Sequence, residues 1–320
     1  MKTLGIVTTG GDAPGMNAAI RALTRFGKEK NLHVLGFHKG WEGVASMDFE
    51  IMSPRTVGGI LQMGGTFLQT SRSDVLRSEE GVKKLSENLE TLDVDALVII
   101  GGNGSMKSAY KLGKNSSTRM IGIPATIDND VYGTDETIGF DTAVNTAVGQ
   151  IDKIRDTARS MGRVFVTEVM GRHHGFIALH TGVAVGADAI LIPEVEFKTE
   201  ALVKTMQSCT KRGKKSGLVV MAEGAGDSRE ITKVLEYYLD VTVRLNILGY
   251  SQRGGSPSAR SRFLANLFAK EAIDSLAKND GNVLVSLDDS GVGTIPLETS
   301  VSNVKKIDQE YLDLNRVLTL

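Results

Sequence analysis

The sequence lacks the features on which disulfide-linked, membrane-spanning and strongly charged proteins depend. Its single cysteine, Cys209, excludes an intrachain disulfide, and we expect a reducing, cytoplasmic setting. No apolar run approaches the roughly 20 residues that a transmembrane helix needs, and the N-terminus shows no secretory signal pattern, so no membrane partner is expected. The 37 basic and 38 acidic residues give a formal net charge of -1, which argues against a nucleic-acid partner held by a general positive field.

Glycine, in contrast, is abundant: the chain has 36 glycines against six prolines. An apolar stretch at 4–7 is followed by the sequence GGDAPGMN at 10–17 and a helical pattern at 18–28, and the apolar stretch at 95–100 is followed by GGNGS at 101–105. Such units can bind phosphate, because glycine lets backbone N–H groups approach an anion and the helix N-terminus attracts negative charge. The alternative is that these glycines only permit tight turns.

A third unit of this kind carries the strongest chemical signal. The apolar run at 120–123 leads into PATIDND at 124–130, where Thr126, Asp128 and Asp130 alternate along the chain. On extended backbone, alternate side chains point to the same side. One carboxylate can accept a proton, the other can hold a cation, and the hydroxyl can donate to an oxyanion, which is the set needed to move a phosphoryl group onto an alcohol. Asp-Asn-Asp is also common in polar turns, so this stretch alone leaves both interpretations open.

The alternation of apolar stretches and helical patterns predicts an α/β protein with parallel sheets flanked by helices on both faces. Ligands of such sheets bind at the carboxyl ends of the strands, where the three loops would emerge. Because the chain is long for one such unit, we expect two Rossmann-like lobes with an active site in the cleft between them, the first boundary falling near residue 138. The only tryptophan, Trp41, lies between glycines and could stack on a base or pack in the core. Of these two alternatives, packing in the core is slightly favoured.

With these loops identified, the sequence resembles the bacterial 6-phosphofructokinases that use ATP. The resemblance covers nearly the whole chain and rests on four motifs together: GGDAPGMN at 10–17, TIDND at 126–130, MGR at 170–172 and QRGGSP at 252–257. It implies a cytoplasmic glycolytic enzyme, working as a homotetramer, that transfers a phosphoryl group from Mg²⁺-ATP to the 1-hydroxyl of D-fructose 6-phosphate. It also implies an ATP-binding lobe of residues 1–138 and about 252–305, and a fructose 6-phosphate lobe of 139–251 and about 306–320.

The resemblance further implies roles for individual residues. Asp128 is the general base, Thr126 and Arg172 stabilise the transferring phosphoryl group, and Asp130 holds Mg²⁺ together with Asn103. The implied ATP contacts, of which Gly11 also belongs to the catalytic set, are Gly11, Trp41, Arg72, Arg77, Gly102, Asn103, Gly104 and Ser105. The implied substrate contacts are Thr126, Asp128, Asp130, Met170, Gly171, Arg172, Glu223, Tyr250 and Arg253, with Arg163 and Arg244 reaching in from a neighbouring subunit.

An effector site for ADP and phosphoenolpyruvate is also part of the resemblance. Its implied residues are Arg21, Arg25, Arg155, Asp188, Lys211, Gly213, Lys214 and Lys215. Two positions depart from its pattern: Arg55 lies one place away from the arginine of the family, and Gly59 replaces an acidic residue. The alternative is that the basic residues are solvated helix faces without an effector.

Three departures or contrasts define the competing hypotheses. Asn103 stands where the family usually has an acidic residue, which raises the hypothesis of a catalytically weak regulatory paralogue. Tyr250 replaces a histidine that contacts the sugar phosphate, which raises the hypothesis of a related sugar phosphate as substrate. The pyrophosphate-using branch carries Asp where Gly104 stands and Lys where Ala125 stands, and since this chain has neither, ATP is the expected donor.

Overall fold

The computed structural model describes residues 2–71, 73–278 and 281–318. By contacts between Cα atoms the chain divides into two compact units. Unit 1 comprises Met1–Thr126, Asp130–Asp141 and Arg253–Lys305. Unit 2 comprises Ile127–Asn129, Thr142–Gln252 and Lys306–Leu320. Among the described residues, no helix is both long enough and apolar enough to span a bilayer.

Strands and helices alternate along most of the chain. The strands are β1 (Thr3–Thr9), β2 (His33–Phe37), β3 (Phe49–Ile51), β4 (Val94–Gly101), β5 (Arg119–Thr126), β6 (Ile138–Gly139), β7 (Val164–Val169), β8 (Ala189–Leu191), β9 (Gly217–Ala222), β10 (Val243–Ile247), β11 (Val283–Asp288) and β12 (Gly291–Pro296). The helices are α1 (Met16–Glu29), α2 (Trp41–Ser46), α3 (Glu79–Thr91), α4 (Asn103–Gly113), α5 (Phe140–Met161), α6 (Phe176–Val185), α7 (Thr199–Lys211), α8 (Ser228–Tyr238), α9 (Ala259–Lys278), α10 (Leu297–Ser302) and α11 (Gln309–Leu318).

Unit 1 is built on a sheet in the order β12-β11-β5-β4-β1-β2-β3, with β6 also paired to β5. Its central strands are parallel, whereas β3 and β12 pair antiparallel at the two edges. Both faces are buried, as helix-covered parallel strands require. On β4, Leu97 and Ile99 join a core with α3 and α4, and the intervening Val98 and Ile100, also fully buried, face the opposite side.

Unit 2 contains a parallel sheet in the order β10-β7-β9-β8. Its core joins apolar side chains of these strands, such as Val166 and Met221, to helix residues such as Met206 of α7 and Leu235 of α8. The register places Val164 opposite both Val243 and Gly217, so β7 lies between β10 and β9. The predicted α/β class, with parallel sheets flanked by helices, is confirmed.

Candidate active site

In unit 1, the loop between β1 and α1 needs glycine at both ends. Gly10 and Gly15 have positive φ angles of 82° and 112°, which side chains of L-residues disfavour. A Cβ atom on Gly15 would also lie 2.5 Å from Cγ2 of Ile138. Gly15 caps α1 without any side-chain hydrogen bond, so N–H groups of the first turn can donate to an anion, apart from that of Met16, which donates to the Ala13 carbonyl at 3.2 Å. Buried Asn17 donates to the carbonyls of residues 63 and 64 and accepts from the N–H of residue 67.

The second glycine turn lies beside the first because β4 pairs with β1. It joins β4 to α4 through Gly102, which caps the helix without a side-chain hydrogen bond. The Ser105 hydroxyl donates to the Thr9 carbonyl at 3.0 Å and so links the two turns. A Cβ atom on Gly104 would have no heavy atom within 4 Å, so this position faces open space. The structure therefore brings two uncapped helix N-termini to the same edge of one sheet.

Thr126 ends the next strand along this edge. Its Cβ lies 3.2 Å from the position of a Cβ on Gly102, which places the threonine beside the second turn. The Thr126 carbonyl accepts a hydrogen bond of 2.6 Å from the hydroxyl of Thr137, which holds the end of β5 to the segment that leads into β6. Unit 1 thus gathers three of the sequence motifs at neighbouring strand ends, as expected for a phosphate site.

A half-buried lysine lies next to the segment that begins at Asp130. Lys305 donates from Nζ to the carbonyl of Asp135 at 2.8 Å. Burial lowers the pKa of Lys305 to about 8, although the charges of Asp135, Asp130 and Glu136 oppose this shift. Sequence reasoning missed this residue, because its hydrogen-bond partner is 170 positions away along the chain and no local pattern marks it.

The implied aromatic and arginine contacts to ATP have less support from their surroundings. Trp41 is only 4% exposed and packs in the core with Val44 and Leu76. This agrees with the core interpretation, and its contact with a nucleotide stays a prediction. Arg77 is largely exposed and forms an ion pair with Asp74 at 3.0 Å. Arg72 lies outside the described residues.

Arg253 contacts the first glycine loop of unit 1. Its Nη2 lies 3.0 Å from the Asp12 carboxylate and 3.2 Å from the Asp12 carbonyl. A Cβ atom on Gly11 would lie 2.0 Å from the same nitrogen, so a side chain there would displace the Arg253 guanidinium. Arg253, which the resemblance assigns to the sugar phosphate site, therefore contacts the first glycine loop, which the resemblance assigns to ATP binding.

In unit 2, Asp128 lies next to Arg172. The Arg172 Nε is 3.8 Å from Oδ2 of Asp128, whose side chain is largely buried while that of Arg172 is half-exposed. Arg172 follows β7 and has a positive φ of 53°, as does Asn129 with 54°. Such angles cost an L-residue free energy, and they persist where surrounding contacts hold the backbone. The turn therefore places a guanidinium beside a largely buried carboxylate.

Glu223 supplies one of the contacts that hold this turn. It follows β9, and its Oε1 accepts from the backbone N–H of Gly171 at 3.2 Å and of Arg172 at 2.7 Å. A Cβ atom on Gly224 would lie 2.0 Å from the Arg172 carbonyl oxygen, so glycine is needed at this position as well. Met170, Gly171, Arg172 and Glu223, which the sequence analysis grouped from distant motifs, therefore lie together at neighbouring strand ends.

The other implied substrate contacts of unit 2 do not all lie at this edge. Arg163 precedes β7 and Arg244 is the second residue of β10, so both are at the amino ends of strands whose carboxyl ends lead to the turn. At about 3.3 Å per residue, the length of β7 places both arginines more than about 10 Å from the turn of residues 170–172. Arg244 is half-exposed, and its Nη1 lies 3.4 Å from the Glu236 carboxylate and donates to the Val243 carbonyl at 3.0 Å. Tyr250 is 77% exposed in the short turn after β10.

The implied effector residues fall into two groups. On α1 in unit 1, Arg21 and Arg25 are one helical turn apart, and burial together with the Arg25 cation lowers the pKa of Arg21. In unit 2, Arg155, Asp188 and Lys214 line a pocket of about 80 Å³. Lys214 pairs with the buried carboxylate of Asp188. Lys211, Gly213 and Lys215 are exposed on the same segment as Lys214.

The residue types present could hold Mg²⁺ only in part. Asp130 and Asn103 are both in unit 1 and offer one carboxylate and one amide oxygen. Within the described part of the chain, no group of three or more His, Cys, Asp or Glu side chains could form a metal cage.

Comparison with known proteins places this geometry in a family. A sequence model described as phosphofructokinase matches residues 3–276. The ATP-dependent 6-phosphofructokinase of Persephonella marina is 45% identical, and the ATP-dependent 6-phosphofructokinase 1 of Thermus thermophilus is 44% identical, each over 100% of both chains. These relatives therefore match the chain along its whole length.

Solved structures give the same answer for the fold. The phosphofructokinase of Saccharomyces cerevisiae is 30% identical with a TM-score of 0.89, and 100% of this chain matches 48% of that chain. The Pichia pastoris phosphofructokinase in the T-state is 31% identical with a TM-score of 0.92, and 99% of this chain matches 39% of that chain. The chain thus spans less than half the length of either yeast protein. On its sequence and its fold together, this chain belongs to the phosphofructokinase family.

Proposed function

We propose that this protein is an ATP-dependent 6-phosphofructokinase, which converts D-fructose 6-phosphate and ATP to fructose 1,6-bisphosphate and ADP. The observation that carries the proposal is the Asp128–Arg172 pair, since it joins a largely buried carboxylate to a guanidinium of the kind that can bind phosphate, within a chain that matches ATP-dependent 6-phosphofructokinases over its full length. Unit 1 would bind ATP and unit 2 would bind the sugar phosphate.

Asp128 would act as the general base. Its carboxylate takes the proton from the sugar 1-hydroxyl as that oxygen attacks the γ-phosphorus of ATP, and the bond from phosphorus to the ADP oxygen breaks in line. Arg172 would stabilise the charge on the transferring group, because its planar guanidinium can donate two hydrogen bonds to phosphate oxygens. Thr126, at the end of β5 beside Gly102, would donate its hydroxyl to the same group.

The nucleotide would lie across the two glycine turns of unit 1. Both turns lead into helices whose first N–H groups have no side-chain cap, and both follow adjacent parallel strands. The open space at Gly104 leaves room for the phosphates. When bound, Mg²⁺ would neutralise charge on the ATP phosphates, with Asp130 and Asn103 as its protein ligands. Since Asn103 brings no charge, we expect weaker Mg²⁺ binding than an aspartate would give.

The sugar phosphate would contact the turn of residues 170–172, together with Glu223, Tyr250 and Arg253. The positions of Arg163 and Arg244 at the amino ends of their strands support a role outside this turn. We infer that they serve the site of a neighbouring subunit in a homotetramer. Tyr250 can donate one hydrogen bond but cannot become a cation, so the affinity for the 6-phosphate would differ from that of a histidine enzyme.

An effector function is a second proposal that one observation favours. The unit 2 pocket joins two arginines, Arg155 and Arg159, with Lys214 and the carboxylate of Asp188 in a volume of about 80 Å³. The cations suit a phosphate group, and the carboxylate suits a metal ion or a hydroxyl. We propose ADP or phosphoenolpyruvate as ligands, tested by the shift of the fructose 6-phosphate saturation curve when each is added.

Steady-state turnover of the purified protein tests the main proposal. The panel would pair ATP or pyrophosphate with fructose 6-phosphate and with other sugar phosphates. We expect the highest kcat/KM for ATP with fructose 6-phosphate. Faster turnover with pyrophosphate would reject the donor, a better sugar would reject the acceptor, and no turnover with any pair would support a regulatory role. Asp128→Asn should then lower kcat by roughly 10²–10⁴-fold with little change in KM, because a general base acts in the transition state.

A further inference from the structure

The side chain of Gln252 is completely buried, with 0% exposed. It ends the short 3₁₀ turn Gly249–Gln252 that follows β10. Its Oε1 accepts a hydrogen bond from the backbone N–H of Met170 at 2.8 Å. Within the described part of the chain, its Nε2 is buried without a hydrogen-bond partner. One end of the amide is thus used and the other is not.

The bond to Met170 completes a set of backbone contacts at the turn. Gly171 and Arg172, the next two residues, both donate their N–H groups to Oε1 of Glu223. The turn follows β7, Glu223 follows β9 and Gln252 follows β10. Because β7 lies between β9 and β10 in the sheet, side-chain oxygens from both neighbouring strand ends hold the turn.

This turn has a conformation that needs support. Gly171 has a φ of 139° and Arg172 a φ of 53°, and the latter angle is unfavourable for a residue with a side chain. The direction of the Arg172 side chain depends on that backbone, and its guanidinium lies 3.8 Å from Asp128. A rotation of the peptide before Met170 would therefore move the cation away from the carboxylate.

Packing alone does not account for an amide at position 252. A buried N–H₂ group without a partner costs free energy, and an apolar side chain of similar length would avoid that cost. Methionine has nearly the same length and no strong polar atoms. The presence of glutamine is explained if its oxygen has a task, and the hydrogen bond from Met170 is the contact that the structure gives to that oxygen.

We propose that Gln252 is a positioning residue for phosphoryl transfer: its amide oxygen fixes the Met170 peptide and so holds Arg172 in the conformation that faces Asp128. The inference rests on the proposed kinase function. Gln252 acts through the backbone of the turn and takes no part in the chemical step itself. Its loss should therefore weaken the use of fructose 6-phosphate and leave ATP binding unchanged.

Two substitutions separate this role from packing. Gln252→Met removes the oxygen and keeps the length, and Gln252→Asn keeps the amide but is one methylene too short to reach Met170. The matched control is Gln207→Met, the same change at a partly exposed residue of unit 2 whose Nε2 donates to the Tyr238 carbonyl. Each protein is measured for kcat, for KM of both substrates, for Tm, and for hydrogen exchange of the 170–172 amides.

We expect Gln252→Met and Gln252→Asn to lower kcat/KM for fructose 6-phosphate about tenfold, the value of one hydrogen bond of about 1.4 kcal/mol. KM for ATP should stay the same, and exchange at 170–172 should become faster. Gln207→Met should match the wild type. If Gln252→Met does not fold, Gln252→Asn provides the test.

The proposal is overturned if the variants lose Tm but keep kcat/KM for fructose 6-phosphate. Unchanged exchange at 170–172 would also overturn it. A wild-type protein that does not phosphorylate fructose 6-phosphate would instead reject the proposed function. In that case the exchange data alone would still report whether Gln252 holds the turn.

Discussion

Arg172 allows a prediction in which stability and activity respond in different ways. Its φ of 53° costs an L-residue roughly 1 kcal/mol, which Arg172→Gly removes. The ion pair with Asp128 is lost at the same time, but at 3.8 Å and with Arg172 half-exposed it contributes only about 0–1 kcal/mol. Because these two effects nearly cancel, we expect the free energy of unfolding to change by less than about 1 kcal/mol.

Activity should fall steeply in the same variant. If Arg172 stabilises the charge of the transferring phosphoryl group, its removal should cost about 3–4 kcal/mol in the transition state, or roughly 10²–10³ in kcat. Arg172→Lys keeps a charge without the planar fork and should retain part of the rate. The measurements are urea unfolding for stability and steady-state turnover for kcat.

A control isolates the backbone effect. Asn31 also has a positive φ, of 56°, and is an exposed residue two positions after the last residue of α1 in unit 1. Asparagine tolerates a positive φ better than arginine does, so relief of backbone strain in Asn31→Gly should change the free energy of unfolding by less than the same relief does in Arg172→Gly. Asn31→Gly should also leave kcat unchanged. A kcat within about threefold of the wild type in Arg172→Gly would refute the reasoning, as would a loss of more than about 2 kcal/mol in stability.

Three further predictions concern metal binding, pH and packing. Asn103→Asp should lower the Mg²⁺ concentration needed for half-maximal rate, because a carboxylate adds charge to the site; an unchanged Mg²⁺ titration would contradict this. The hydrogen bond to Asp48 raises the pKa of His38, although burial opposes this shift. The interaction of His38 with Asp48 therefore stabilises the fold fully below pH about 6.5, and this stabilisation is lost as the pH rises through the folded pKa. His38→Gln should therefore flatten the pH dependence of urea unfolding between about pH 6 and 8, and an unaltered profile would count against the assignment. Gly15→Ala should lower stability by about 1–3 kcal/mol in thermal unfolding, because its φ is 112° and the new Cβ would lie 2.5 Å from Ile138; a Tm equal to the wild type would show that the loop relaxes.

Much of the fold follows from local patterns. The apolar run at 95–100 lies within β4 and the glycines after it precede α4, because a helix-covered parallel strand is apolar on both faces and its βα turn needs residues without side chains. The same logic located the loops after β1 and β5. The residues of these motifs are close in sequence, so the chain itself brings them together.

The sequence by itself therefore determined the α/β class, the family resemblance and the motifs whose chemistry suggests phosphoryl transfer. Only the tertiary structure decided that Glu223 and Gln252 hold the turn of residues 170–172, and that Lys305 donates to the Asp135 carbonyl. These contacts join residues 51, 82 and 170 positions apart, respectively. The physical reason is that periodicity reports which face of a strand or helix is buried, whereas the partner of a buried polar group depends on which strands become neighbours in the sheet.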